Sequence, residues 1–241
     1  MALAKALKES RPPGLTKSVG LIFRGVLMPK LRDGSKTRTM RLVSRSNSLV
    51  DGHAANRELW ARLNFAEAWV DLGPSPAGNA GPYLQVPWKT ATDSGVARVY
   101  PRVWAGDRIW SRETFGYVSP HEGHAPIAEC RVEYRANLTP GCTDYPGEWP
   151  AEYAHGSDDA PKWRSPLHQP RSAARFVSPP LVRVFPQRPQ SLTDAECLAE
   201  GTSPGEISSL HDMWEGLWVA IHGDKSWLEN PWCWVYDWGT P

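Results

Sequence analysis

Short segments in which hydrophobic and polar residues alternate recur along the chain, and such alternation is typical of β-strands. The segment TRTMRLV places Thr37, Thr39, Arg41 and Val43 on one face of a strand and Arg38, Met40 and Leu42 on the other. Further strands are predicted within residues 21–23, 103–118, 128–137 and 172–186, the last broken by Pro179 and Pro180. The pattern predicts a protein rich in short strands.

Helical signals are clearest near the C-terminus. The segment SLTDAECLAEG predicts a short helix with a capping box formed by Thr193 and Glu196, ending at Gly201. A longer helix is predicted in EISSLHDMWEGLWVAIHG, where hydrophobic residues recur at helical spacing until Gly223. The closing segment NPWCWVYDW predicts a strand with one aromatic face. Many strands and few helices predict an α+β fold, a small β-barrel with flanking helices.

The predicted domain organisation is a flexible basic arm at residues 1–19, followed by one domain at 20–241. Residues 44–101 contain one helical pattern, around 56–63, and the loop PSPAGNAGP, and they predict a loop-rich insertion. The chain has 23 Pro and 20 Gly, which favour turns and argue against a helical bundle. It also has 13 Trp, which indicates a Trp-rich core or aromatic platforms for a planar ligand.

Charge is unevenly distributed although the formal net charge is only +1. Residues 1–46 contain 11 Lys and Arg but 2 Asp and Glu, so the remainder is acidic. A basic end is compatible with a surface facing nucleic acid, and equally with a solvated arm. No window approaches the ~20 apolar residues of a membrane span, and the first residues lack the apolar core of a secretory signal. We therefore expect a cytoplasmic protein with no membrane partner and with four reduced cysteines.

The octapeptide GSKTRTMR concentrates chemical groups in residues 34–41. A lysine can act as a base towards a hydroxyl once burial lowers its pKa, and Lys36 and Thr39 are the candidates for these two roles. Arg41 could hold a phosphate or an oxyanion by charge-assisted hydrogen bonds. By themselves these residues fit a solvated edge strand as well as the floor of a ligand pocket.

Several segments together resemble the ASCH domain, a family related to the PUA-like RNA-binding barrels, and in particular its phage-encoded branch. GSKTRTMR is similar to the family signature G-x-K-T-x-T-x-R. Four more segments resemble family segments in the same order along the chain: GDRIWSRETF, KWRSPLHQPRSAARF, DAECLAEG and NPWCWVYDW. Ser35, Met40, Gln169 and Ser172 depart from the usual residues, and the chain is much longer than the branch that deacetylates N4-acetylcytidine.

The resemblance implies a PUA-like barrel with a cleft for RNA or a modified nucleoside. In the deacetylating branch, the functional Lys, Thr and Glu correspond here to Lys36, Thr39 and Glu200, which would be catalytic. Thr37 and Arg41 would bind substrate. The implied activity is hydrolysis of an N4-acylated cytidine. A non-catalytic RNA-binding module and a phage structural or host-interaction protein remain alternatives.

Other residues fit either function or structure. Arg112 and Glu113 would line the cleft or form a structural ion pair, and Arg171 would contact phosphate or lie in solvent. The row Trp232, Trp234, Tyr236 and Trp238 would stack bases or, as we expect, pack in the core. His121, His124, Cys130 and Cys142 match no standard zinc spacing, so neither a metal nor a cofactor is predicted.

Overall fold

The computed structural model describes residues 16–51, 53–54, 56–72, 82–118, 131–135, 163–205 and 208–239. The chain divides into two compact units. The larger unit contains residues 37–108 and 179–239, together with 16–17, and the smaller unit contains 18–36 and 109–178. The predicted arm at 1–19 falls mostly outside the described residues, and its last two residues belong to the first strand.

A three-stranded antiparallel sheet in the larger unit contains residues 38–41, the second half of the octapeptide. Strand β2 (Arg38–Leu42) pairs with β12 (Cys233–Asp237), and β12 pairs with β11 (Arg183–Gln187). Opposite residues share a face, so Thr39 lies beside Tyr236 and Arg41 beside Trp234. The alternation in TRTMRLV is therefore the pleat of β2, as predicted.

Helices cover the other face of this sheet. They are α3 (Asp194–Ala199), α4 (Leu210–His222) and α5 (Asp224–Glu229). A capping box at Thr193 begins α3, and Gly223, with a φ of 83°, ends α4, as the sequence predicts. The core on this side contains Met40, Leu192, Cys197, Trp214, Trp218, Cys233 and Val235.

Three of the four residues in the closing aromatic row are buried, as expected for core residues, whereas Trp232, just before β12, is half-buried. Trp234, Tyr236 and Trp238 are at most 4% exposed. The two tryptophans of α4, however, pack on the opposite face of β12, against Cys233 and Val235. Trp234 instead donates its Nε1–H to the hydroxyl of Ser48 at 2.9 Å. Both faces of β12 are thus buried.

A five-stranded antiparallel sheet occupies the region predicted as a loop-rich insertion. Its strands are β3 (Ser48–Val50), β4 (His53–Ala54), β5 (Trp69–Asp71), β6 (Tyr83–Lys89) and β7 (Ser94–Pro101), in the order β4-β3-β7-β6-β5. Helix α2 (Arg57–Arg62) begins at Asn56, whose side chain accepts the Leu59 N–H. The predicted helix is confirmed, whereas the strands were not apparent from the pattern. Leu84, Val86 and Val99 form a fully buried inner face.

The smaller unit contains α1 (Met28–Arg32) and two strand pairs. Strand β1 (Ser18–Ile22) pairs with β8 (Arg108–Arg112), and β9 (Phe115–Val118) pairs with β10 (Arg131–Tyr134). Short 3₁₀ turns at Pro166–His168 and Arg171–Ala173 follow, and a bridge between Trp110 and Val177 joins the segment after them to β8. Gly34, with a φ of 81°, lies just after the end of α1.

The fold is mixed α/β with several sheets and few helices, which confirms the predicted class. The described strands form four separate sheets, and no closed barrel is detected among them, so the PUA-like barrel stays a prediction. Within the described parts of the chain, no helix has the length and apolar character needed to cross a membrane.

Candidate functional site

Residues 37–41 lie next to the helix that carries Glu200, although about 160 positions separate them along the chain. The Thr37 N–H donates to the Ala199 carbonyl at 2.9 Å, and the Thr37 carbonyl accepts the Trp238 N–H at 3.0 Å. Thr37 therefore joins the C-terminal end of α3 to the end of β12 through its backbone. These bonds hold the start of β2 against the last turn of α3.

Arg38 forms the central ionic contacts at this junction, and its side chain is only 2% exposed. Its Nη1 donates to Glu196 Oε1 at 2.8 Å, and its Nη2 donates to Gln187 Oε1 at 2.6 Å. Its Nε lies 3.5 Å from Glu200 Oε1. One buried guanidinium thus faces two carboxylates and an amide, which compensates the cost of burying it.

Glu196 connects this ionic cluster to the capping box of α3. Its Oε2 accepts the Thr193 N–H at 2.9 Å and the Gln187 Nε2–H at 3.1 Å. Burial raises the pKa of Glu196, but the hydrogen bonds from Thr193, Arg38 and Gln187 together outweigh burial and leave that pKa below its usual value. Glu196 is therefore an ionised partner for Arg38 at neutral pH.

Glu200 is the C-cap residue of α3, and it is 3% exposed. A carboxylate at the C-terminal end of a helix opposes the helix dipole, so cations are needed to stabilise it there. Arg38 supplies one of them. Arg41 is the second, since burial lowers the pKa of Arg41 while the negative charge of Glu200 acts in the opposite direction.

Thr39 and Arg41 lie on the face of β2 opposite Arg38. Thr39 is 4% exposed and pairs across the sheet with Tyr236. Burial raises the pKa of Tyr236, and Arg41 acts against that rise. We call Thr37, Arg38, Thr39, Arg41, Glu196 and Glu200 the β2–α3 cluster. It combines two guanidinium groups, two carboxylates and two threonine hydroxyls, which suits recognition of a phosphate or a polarised carbonyl.

Lys36 lies between α1 and β2 and is 1% exposed. Its N–H donates to the Lys30 carbonyl at 2.8 Å, which fixes the backbone after α1. Lys36 is the last residue of its segment in the smaller unit, and Glu200 belongs to the larger one. A cavity shared by these two side chains stays a prediction.

The three remaining predicted site residues belong to the smaller unit and differ in environment. Glu113 is 2% exposed and forms a two-pronged ion pair with Arg175, through Nε at 3.0 Å and through Nη2. Arg112 instead stacks on Trp110 at 4.7 Å and donates to the Leu167 carbonyl. Arg171 is exposed. Glu113 therefore pairs with Arg175 rather than with the neighbouring Arg112.

A hydrogen-bonded network surrounds the Glu113–Arg175 pair. Gln169 accepts the Glu113 N–H at 2.5 Å and donates to the Ala173 carbonyl at 2.6 Å. The Tyr134 hydroxyl donates to the same carbonyl, and the Arg175 guanidinium lies 4.3 Å above the Tyr134 ring. These contacts fix the segment after β10 to the end of β8 and indicate a structural role.

Sequence reasoning missed Arg38, Glu196 and Gln187 as members of the ionic cluster. The available signal was Arg38 itself, because a charged residue on the strand face of Met40 and Leu42 requires a buried partner. The identity of that partner could not be read from the pattern, since Glu196 lies 158 positions away.

No cluster of three or more potential metal-binding side chains occurs in the part of the chain that the structure describes. His121, His124, Cys130 and Cys142 lie outside the described residues. Comparison with known protein families, curated proteins and solved structures finds no match for this chain. The resemblance to ASCH domains therefore stays a prediction.

Proposed function

We propose that this protein recognises RNA or a modified nucleoside through the β2–α3 cluster, as an ASCH domain of the phage-encoded branch with a PUA-like barrel. The observation that carries the proposal is the contact between the start of β2 and the end of α3. The Thr37 N–H bonds to Ala199, and Arg38 approaches Glu200 to 3.5 Å. These two segments are the ones whose residues correspond to the functional residues of the family.

Electrostatics support a polar ligand of this kind. Arg41 is a half-buried cation on the Thr39 face of β2, and a partly desolvated guanidinium binds phosphate or carbonyl oxygen more strongly than a fully solvated one. Arg38 holds the carboxylates from the other face. The basic residues among positions 1–46 would add sequence-independent attraction for RNA. Such a protein would act in the cytoplasm of a bacterial host.

Hydrolysis of an N4-acylated cytidine is a second candidate, favoured by the proximity of Glu200 to β2. Lys36 would accept the hydroxyl proton of Thr39 while the Thr39 oxygen bonds to the acyl carbon. Glu200 would then take this proton from Lys36 and give it to N4 as the carbon–nitrogen bond breaks. Water would then release the acid from Thr39. A non-catalytic RNA-binding module would bind RNA without hydrolysing it. A structural or host-interaction protein of a phage would show neither RNA binding nor hydrolysis.

Binding is tested by fluorescence anisotropy with a fluorescein-labelled 12-nucleotide RNA, with and without one N4-acetylcytidine. We expect Arg41→Met to weaken binding about tenfold or more, because a charge-assisted hydrogen bond contributes ~1.5–3 kcal/mol. Arg45→Met is the matched control, since Arg45 is exposed four positions away. Equal losses in the two variants, or an unaffected Arg41→Met, would contradict recognition by the β2–α3 cluster.

Turnover is tested separately by incubating the protein with N4-acetylcytidine and measuring cytidine and acetate by chromatography. The hydrolytic mechanism expects product from the wild type, none from Thr39→Val, and unchanged product from the exposed control Thr92→Val. Absence of product from a wild type that binds the RNA would remove hydrolysis and leave recognition standing.

A further inference from the structure

A groove in the larger unit lies along β11, and its residues do not overlap with the β2–α3 cluster. Its volume is about 330 Å³, and its lining includes Val70, Trp104, Val184, Phe185 and Pro186. That volume is within the range of small-molecule sites, which are mostly apolar with a few polar groups. Because the groove shares no residue with the β2–α3 cluster, a ligand bound there does not depend on the proposed function.

The Trp104 wall of the groove is held in place by a hydrogen-bonded turn. The Trp104 N–H donates to Asp107 Oδ2 at 2.9 Å, and the Asp107 N–H returns to the Trp104 carbonyl at 3.0 Å. Leu181, just before β11, is bonded to this turn through Gly106 and Asp107. The aromatic wall and the strand are thus joined before any ligand arrives, which lowers the entropic cost of binding.

Arg183 is the one charged residue among the described residues that line the groove. Its Nε and Nη2 donate to Asp237 Oδ2, and its guanidinium lies 5.3 Å from the centre of the Phe185 ring. Its described hydrogen bonds do not use Nη1, and its side chain is 64% exposed. Asp237 therefore orients the guanidinium, and one edge remains available to an anion.

Two large apolar side chains at the groove are mostly exposed to solvent. Leu72 is 83% exposed and Val182 is 61% exposed, and both belong to the lining. Exposed apolar surface next to an aromatic wall is typical of a ligand-binding groove. A flat ring placed against Trp104 and Phe185 would cover part of this surface and bring an attached anionic group to Arg183.

We propose that this groove binds a planar heteroaromatic ring that carries a phosphate group. The aromatic and proline side chains select the ring, and charge complementarity with Arg183 selects the phosphate. Two sources share this chemistry: a free mononucleotide and a nucleotide within single-stranded RNA. Both present a base for stacking and a phosphate at a short distance from it.

The probe is 2-aminopurine riboside 5′-monophosphate, whose fluorescence falls when its base stacks on an aromatic ring. We expect saturable quenching, and about tenfold weaker binding or more for the same riboside without phosphate. Arg183→Met should weaken binding of the phosphorylated probe to the level of the riboside and leave the riboside unaffected. The exposed control Arg62→Met should change neither. Equal affinities of the two probes for the wild type, or equal losses for both in Arg183→Met, would overturn the proposal.

Steric filling gives an independent test. Ala105 lines the groove and is exposed, so Ala105→Phe should fill it without disturbing the core and abolish quenching. Ala91→Phe, in the exposed turn between β6 and β7, is the matched control. Competition by AMP assigns the free nucleotide as the source, and competition by an eight-nucleotide oligoadenylate alone assigns RNA. The proposal is overturned if neither AMP nor oligoadenylate displaces the probe, or if the probe is still quenched by the Ala105→Phe variant.

Discussion

Replacing Arg38 by methionine tests the buried ionic cluster most directly. The substitution keeps an unbranched apolar chain of similar reach and removes the guanidinium that contacts Glu196 at 2.8 Å, Gln187 at 2.6 Å and Glu200 at 3.5 Å. Glu200 is 3% exposed, so water cannot easily replace the lost cation. Breaking a buried ion pair by removing one partner costs about 3–5 kcal/mol.

We expect Arg38→Met to lower the free energy of unfolding by this amount. The loss is a large fraction of the ~5–15 kcal/mol that stabilises a typical domain. The assay is urea unfolding at pH 7, followed by circular dichroism and tryptophan fluorescence. The exposed control Arg45→Met should stay within ~0.5 kcal/mol of the wild type.

A double variant separates the ionic effect from lost packing. Adding Glu200→Gln to Arg38→Met removes the carboxylate that was left without Arg38, so part of the lost stability, ~1–2 kcal/mol, should return. The reasoning is refuted if Arg38→Met lowers the free energy of unfolding by less than ~1 kcal/mol. It is also refuted if Glu200→Gln destabilises the Arg38→Met variant as much as it destabilises the wild type.

Three further predictions concern other buried groups. The pKa of Glu196 is lower in the folded protein than in the unfolded chain, so its ionised form stabilises the fold. This stabilisation is present above about pH 4.3 and is lost as the pH falls through the folded pKa of Glu196. Glu196→Gln should therefore remove this acid-sensitive part of the plot of unfolding free energy against pH. Arg175→Met should cost about 3–5 kcal/mol in urea unfolding, because it leaves Glu113 buried without its guanidinium partner. Burial raises the pKa of Cys197 to about 11 and that of Cys233 well above its usual value. Both thiols should therefore resist modification by iodoacetamide at pH 8 until urea unfolds the chain, which peptide mass spectrometry can measure.

Each of these predictions has a control and a contradicting result. Glu215→Gln, on the exposed side of α4, should leave the acid limb of the stability curve unchanged; a Glu196→Gln curve identical to the wild type counts against the Glu196 argument. Arg171→Met should be nearly neutral, and an equal cost at Arg171 and Arg175 would argue against the buried pair. Rapid modification of either buried cysteine in the folded protein would show that its site opens readily.

Local interactions explain why the sequence predicted many elements well. The alternation in TRTMRLV, the capping box at Thr193 and the glycine at 223 each act within a few residues, and all three appear in the structure. Three of the strands within 44–101, β3, β4 and β5, were harder to predict because they have only two or three residues each. A strand that short shows no measurable period.

The sequence by itself determined the class of the fold, the alternation of β2 and the set of residues from which a site could be built. Only the tertiary structure decided that Arg38 contacts Glu196 and Glu200, that Glu113 pairs with Arg175, and that a groove follows β11. The physical reason is that a buried charge requires a partner but does not specify one. The partner is chosen when distant segments pack, through strand register and helix docking that no local pattern encodes.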